Sequence, residues 1–142
     1  MELSIYNKET DELVTPGDEK MLEQPLSTLK KQIEHYLYVA KPSYAEWKVE
    51  GFVLELDDIF RFYNLLVGIY IPKSKLPLVD EVLQSMWANP EFKYALTYEA
   101  NEGLAELNVP LNYVKTFDEH ATIGETITFS EELLRRISEK IA

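Results

Sequence analysis

The sequence predicts an α+β fold: a single domain, 1–142, with an antiparallel sheet of about five strands and three helices in the order α-ββ(β)-α-ββ-α. Three observations carry that expectation. Apolar residues recur at helical spacing in some stretches and alternate at period 2 in the stretches between them. Turn signals such as Asn89-Pro90 and "ANEG" separate the two kinds. A chain of 142 residues, with no repeat, low-complexity tract or compositional break, has the length of one domain that buries its own core.

Taken in order, "ELSIY" reads as a short strand or a tethered arm, and residues 7–25 as a mobile acidic segment. Leu29, Ile33, Tyr36, Leu37 and Ala40 share one helical face, which predicts a first helix from Ser27 to about Ala40. Trp47 to Leu56 then alternates as a strand. The apolar stretch from Glu50 to Pro72 is interrupted by Glu55, Asp57, Asp58 and Arg61, too early and too often for a membrane span. It reads as strands around a turn at Asp57-Asp58, with Asp58 as the N-cap of a short helical piece as the alternative. Both parities are apolar from Leu65 to Ile71, the pattern of a central strand covered on two faces, with Gly68 marking close packing or a bulge.

The stretch "SKLPLVDEVLQSMWANP" is the clearest helix, with Ser74 as cap, Pro77 in the first turn and Leu76, Val79, Leu83 and Met86 as the buried stripe. Two strands of a hairpin follow around "ANEG", with Gly103 free to take a positive φ. Pro110 has no amide hydrogen, which places the return strand at an edge, at least near that residue. A terminal helix starts at Ser130 as cap and buries Leu134, Ile137 and Ile141.

Charge narrows the function classes. Fourteen basic residues face 25 acidic ones, a net charge of −11. Such a field repels nucleic acid and anionic lipid and attracts basic partners. With no cysteine, the chain has no disulfide framework, thiolate zinc site or thiol nucleophile. The first residues lack the basic and apolar regions of a secretory signal, so a cytoplasmic location is expected.

Chemistry-bearing groups are sparse. His35 and His120 are the only histidines, and neither stands in a metal-ligand spacing, although Asp118, Glu119 and Glu125 lie near His120 in sequence. Asp57 and Asp58 could serve acid–base work or hold a hard cation, but adjacent acids on a turn commonly bind local amides. No nucleophile elbow or phosphate-cradling glycine loop is present. No catalytic residue, cofactor or metal is therefore assigned. Aromatics are abundant, and tyrosine with tryptophan suits protein interfaces. Tyr94, Tyr98 and Tyr113 on the late hairpin, and Tyr44 with Trp47 near Tyr36 and Tyr38, are the candidate partner-binding residues.

From Ser27 to Ala142 the order of elements resembles the type III secretion chaperone-like folds, including the YbjN-like proteins. The likeness is best over "LLVGIYIPKSKLPLVDEVLQSMWANPEFKYALTYEANEGLAELNVPLNYV", where a strand leads through a short loop into a helix and then a hairpin. The resemblance implies a homodimer without catalytic residues that shelters or senses an extended stretch of a partner chain. It carries over no site residues. The expected function is thus a non-enzymatic, acidic protein-binding domain, chaperone-like or regulatory, with a partner that is basic. The alternatives are a toxin-neutralising immunity protein or phage-encoded inhibitor, a small metal-dependent hydrolase using Asp57, Asp58, Asp118, Glu119 and His120, and a structural subunit.

Overall fold

Alternation of side chains sets the architecture. In residues 35–40, Leu37 and Val39 point one way and are buried, while Tyr36 and Tyr38 point the other way and are half-exposed. The same division runs through the whole sheet. The structure, a computed structural model describing residues 1–142, contains strands β1 (Glu2–Asn7), β2 (Leu13–Pro16), β3 (His35–Ala40), β4 (Phe52–Leu56), β5 (Tyr63–Tyr70), β6 (Ala95–Glu99) and β7 (Leu104–Pro110). The helices are α1 (Leu76–Met86) and α2 (Ile123–Ile141). Short 3-10 segments occupy Glu19–Glu23, Leu26–Lys31, Pro42–Trp47, Lys73–Lys75 and Leu111–Tyr113. All strands join one antiparallel sheet of order β2-β1-β3-β4-β5-β7-β6. No helix is long and apolar enough to cross a membrane.

One face of the sheet supplies Leu37, Leu54, Leu65 and Val109, which lie opposite one another across four strands. They join Val79 and Leu83 of α1 and Ile123, Ile127, Leu134 and Ile137 of α2 in a single core of 27 buried residues. Each such side chain contributes roughly 1.5–3 kcal/mol on removal from water. The helix α2 places its buried residues at intervals of three and four, the stripe an amphipathic helix needs.

The α+β class and the antiparallel sheet agree with the expectation; the element count does not. There are seven strands rather than five, and two α-helices rather than three. The expected helix from Ser27 to Ala40 is a 3-10 segment, Leu26–Lys31, followed by β3. Residues 35–40 satisfy both periods, and β1 and β4 supply ladder partners on either side that a helix could not use. The region 7–25 contains β2 and a 3-10 segment whose Asp18 side chain accepts the Met21 amide.

Helix starts also shift. The helix α2 begins seven residues before Ser130, at a reciprocal cap: Thr122 Oγ1 accepts the Glu125 amide at 3.1 Å, and Glu125 Oε1 accepts the Thr122 amide at 3.0 Å. Ser130 is buried inside the helix and donates to the Thr126 carbonyl at 2.9 Å, so its hydroxyl is satisfied without capping. Ser74 lies within the 3-10 segment ahead of α1, whose cap position is Lys75 and whose first turn accommodates Pro77.

Two strand expectations are corrected in part. The return strand β7 is internal, between β5 and β6, and the edge belongs to β6. Pairing with β6 ends at Asn108, however, so Pro110 faces no β6 partner and its missing amide hydrogen breaks no ladder there. Strand β5 is central as expected, but only one of its faces lies in the core: Leu66 and Gly68 remain half-buried and Tyr70 exposed. Gly68 is a close-packing position with unbroken register, since a side chain there would meet Leu104 at 2.9 Å.

Candidate partner-binding surface

The face of the sheet turned away from the helices is the surface of interest. Residues opposite one another across its ladders form a row, Ser4, Tyr38, Val53, Leu66, Asn108 and Ala95, in which apolar and aromatic groups meet solvent. A neighbouring row brings Tyr6 against Tyr36, stacked at 5.4 Å, with Glu55 and Asn64 further along. Between Tyr38, Val53, Leu66 and Leu104 lies a shallow groove of about 440 Å³ that also reaches Ala95, Thr97 and Glu106. Two glycines shape it. Gly51 lies beneath the Tyr38 phenol, where an added methyl would come within 2.3 Å of the hydroxyl, and Gly68 lies beneath Leu104.

Acids border this face. Glu55 is half-buried, and that burial raises its carboxyl above the ordinary value, with Lys8 acting in the opposite direction. Lys8 itself donates to the Leu56 carbonyl at 2.6 Å and pairs with Asp58 at 3.0 Å. Burial, then the hydrogen bond to Asp11, pushes the Tyr36 phenol up to about 12, so it stays a neutral donor throughout the physiological range.

Strand β6 forms the free edge beside that groove, and its residues alternate between exposed and half-buried. Three further concavities have part of Phe92–Thr97 in their walls. One of about 430 Å³ lies on the helix side, between Leu76, Pro77 and Asp80 of α1 and Tyr94 and Leu96. Another of about 400 Å³ lies against Trp87, Asn89 and Phe92. The third, about 210 Å³, lies between the β4–β5 turn and the lead-in to β6. An unpaired edge presents amide and carbonyl groups that another chain can complete. Grooves on both sides of such an edge offer pockets for alternate side chains of an added strand.

The aromatic candidates divide between several places. Tyr44 is fully buried, stacks on Trp47 at 5.4 Å and on Phe52 at 5.6 Å, and donates to Glu131 of α2 at 2.7 Å. Burial first, then Glu131, drives its phenol pKa upward. Trp47 is half-buried beside it. Tyr94 and Tyr98 both turn toward the helix side, where Tyr94 donates to the Asp80 carboxylate and Tyr98 to the Ile71 carbonyl at 2.9 Å. Tyr113 packs elsewhere, stacked on Phe92 at 5.4 Å and edge-on to Phe62 at 5.0 Å. Tyr94, Tyr98 and Tyr113 thus adjoin β6 and its approaches, while Tyr44 and Trp47 brace α2 against the sheet.

Asp57 and Asp118 are held by local bonds, and Asp58 by its pair with Lys8. Asp57 Oδ1 accepts the amides of Ile59 at 2.8 Å and Phe60 at 2.6 Å, which fixes the turn between β4 and β5. Asp118 accepts the His120 amide at 2.8 Å, and the His120 ring is 87% exposed beside Glu119. His35 pairs with Gln32. Nowhere do three His, Asp or Glu side chains converge as metal ligands.

Sequence reasoning passed over the tip of the β4–β5 turn. Ile59 is 81% exposed and Phe60 57%, and Phe60, Phe62 and Phe92 form a cluster with centroid separations of 5.3–6.0 Å. The available signal was "DDIFRF": an aspartate that opens a turn binds the amides two and three residues on, which holds those residues at the tip whatever their polarity. Compared with known proteins, the chain matches no family model, no curated protein and no solved structure.

Proposed function

We propose that this chain is a non-enzymatic, chaperone-like protein-binding domain that takes an extended segment of a basic partner protein along the free edge of β6. The observation that carries the reading is the sharing of Phe92–Thr97 by four concavities, two of which flank β6 on its opposite sides. Strand addition supplies affinity through main-chain hydrogen bonds, and the flanking grooves supply selectivity through alternate side chains. The net charge of −11, with Glu99 and Glu106 exposed near the edge, speeds encounter with cationic segments and turns away acidic ones.

The test is capture of the partner by wild-type protein and by a Leu96→Pro variant, which removes an outward-facing amide of β6 and spares its ladder with β7, and whose circular dichroism matches wild type. The reading expects capture to fall at least tenfold in the variant and to weaken as salt rises; equal capture by both proteins contradicts it. The chaperone-like form of the reading includes a homodimer. Sedimentation at high micromolar concentration tests that part: a monomer there removes the dimer and leaves strand addition by a single partner.

A further inference from the structure

The pocket between the β4–β5 turn and the lead-in to β6 has a composition that fits one kind of side chain. Its volume is about 210 Å³, and its walls combine Phe60, Phe62 and Phe92 with Asp57, Asn64 and Asn108. The rings are held in place. Phe60 and Phe62 stack at 5.5 Å, Phe92 meets Phe62 edge-on at 5.3 Å, and Tyr113 backs Phe92 in a near-parallel stack. Phe60 and Phe92 nonetheless remain 57% and 37% exposed.

Two of the polar groups have acceptors to spare. Asp57 uses Oδ1 for the turn amides, leaving Oδ2 outside those bonds. Asn64 is only 7% exposed, and its Oδ1 is the one buried side-chain polar atom in the molecule without a hydrogen-bond partner. A buried acceptor left unmet is unfavourable, and a ligand carrying donors relieves it once the amide turns toward the pocket. The lysine on the rim does not fill that need, because the Lys93 ammonium lies over the Tyr94 ring at 5.6 Å. Arg61 is exposed on the same turn with φ 63°.

We propose that this pocket receives an arginine side chain of the partner. A guanidinium is planar, so it stacks on Phe60 or Phe92, and its fork of donors reaches a carboxylate and an amide oxygen together once the Asn64 amide turns toward it. An ammonium lacks both the plane and the fork. A metal ion finds one carboxylate and two asparagine amides among three phenyl rings, short of the roughly six to eight oxygens a hard cation takes. The inference rests on the strand-addition reading, since Ala95 belongs both to this pocket and to the β6 edge along which the partner would lie.

The probe is the blocked tripeptide acetyl-Gly-Arg-Gly-amide, titrated into the labelled full chain and followed by NMR, with the lysine and citrulline analogues as controls. Saturable shifts at Phe60, at Ala95 and at the Asn64 side-chain amide are expected, with the lysine peptide at least threefold weaker and the citrulline peptide silent. Asp57→Asn keeps an oxygen for the turn amides, so it is expected to keep the turn while weakening the arginine peptide about fivefold by loss of the charge-assisted bond. Phe92→Leu is expected to weaken it about threefold by removing a stacking face. Unsaturable shifts spread over the acidic surface, or unchanged binding in Asp57→Asn, overturn the proposal. Capture that depends on β6 without shifts in this pocket sinks the arginine site alone. Pocket binding without any partner captured at β6 upholds the site and removes the strand-addition reading.

Discussion

The two faces of the sheet use the same strands for opposite purposes. On the covered face, Leu54 and Leu65 sit opposite one another and are sealed by the helices. One residue along, Val53 and Leu66 sit opposite one another on the other face and stay half-buried. Both pairs are aliphatic, so hydrophobicity alone does not tell which face the chain will cover. The helices decide. Both α1 and α2 carry apolar stripes sized for one layer, and nothing remains to cover the second face. Its tyrosines, acids and glycine-floored groove are the features on which the proposal of a partner chain rests.

Truncation of adjacent residues breaks or sharpens that contrast most strongly. Leu65→Ala should destabilise the fold by about 3–4 kcal/mol, because its cavity lies at the centre of the core. Leu66→Ala should cost about 1 kcal/mol or less, since its side chain is still wetted. Chemical denaturation of both variants measures the difference. Equal losses would mean that the two faces are not energetically distinct.

The cap of α2 gives the next effect. Thr122→Ala removes the hydroxyl that accepts the Glu125 amide and should cost about 1 kcal/mol in the same assay. The loss should fall on the covered layer alone, leaving peptide binding at the open face unchanged.

Glu55 supplies a smaller, pH-dependent contrast. Its carboxyl is raised in the folded state, chiefly by burial, so the folded protein holds the proton more tightly than the unfolded chain does. The ionised form therefore costs stability at neutral pH, and that cost disappears as pH falls below the ordinary carboxylate range. Glu55→Gln should accordingly match or slightly exceed wild-type stability at pH 7, and its advantage should vanish in acid. An advantage that grows on acidification would reverse the assignment.

The covered face was the legible one. Period-2 alternation located the inward residues of β4 and β7, and the apolar stripe located α1, because burial on one side leaves a regular pattern. Residues 35–40 were misread because Leu37 and Ala40 fit helical spacing as well as Leu37 and Val39 fit a strand; only pairing with β1 and β4 separates the two. The start of α2 was legible but overlooked: Thr122 and Glu125 stand at capping-box spacing, disguised by the β-branched residues between Thr122 and Thr128. The candidate surface was readable only in outline. Tyrosines were abundant, but hydroxyl partners on α1 and α2 determined which turned inward, and such partners are remote in sequence.

The central claim is that the partner lies along β6 and the open face. It is tested most directly by placing a photocrosslinking amino acid at position 97, on the β6 edge, or at position 128, on the exposed side of α2, in cells that produce the protein. The account predicts a discrete crosslinked protein from position 97, mapped by mass spectrometry to an extended basic segment, and none from position 128. The same product from position 128, with none from position 97, would contradict it.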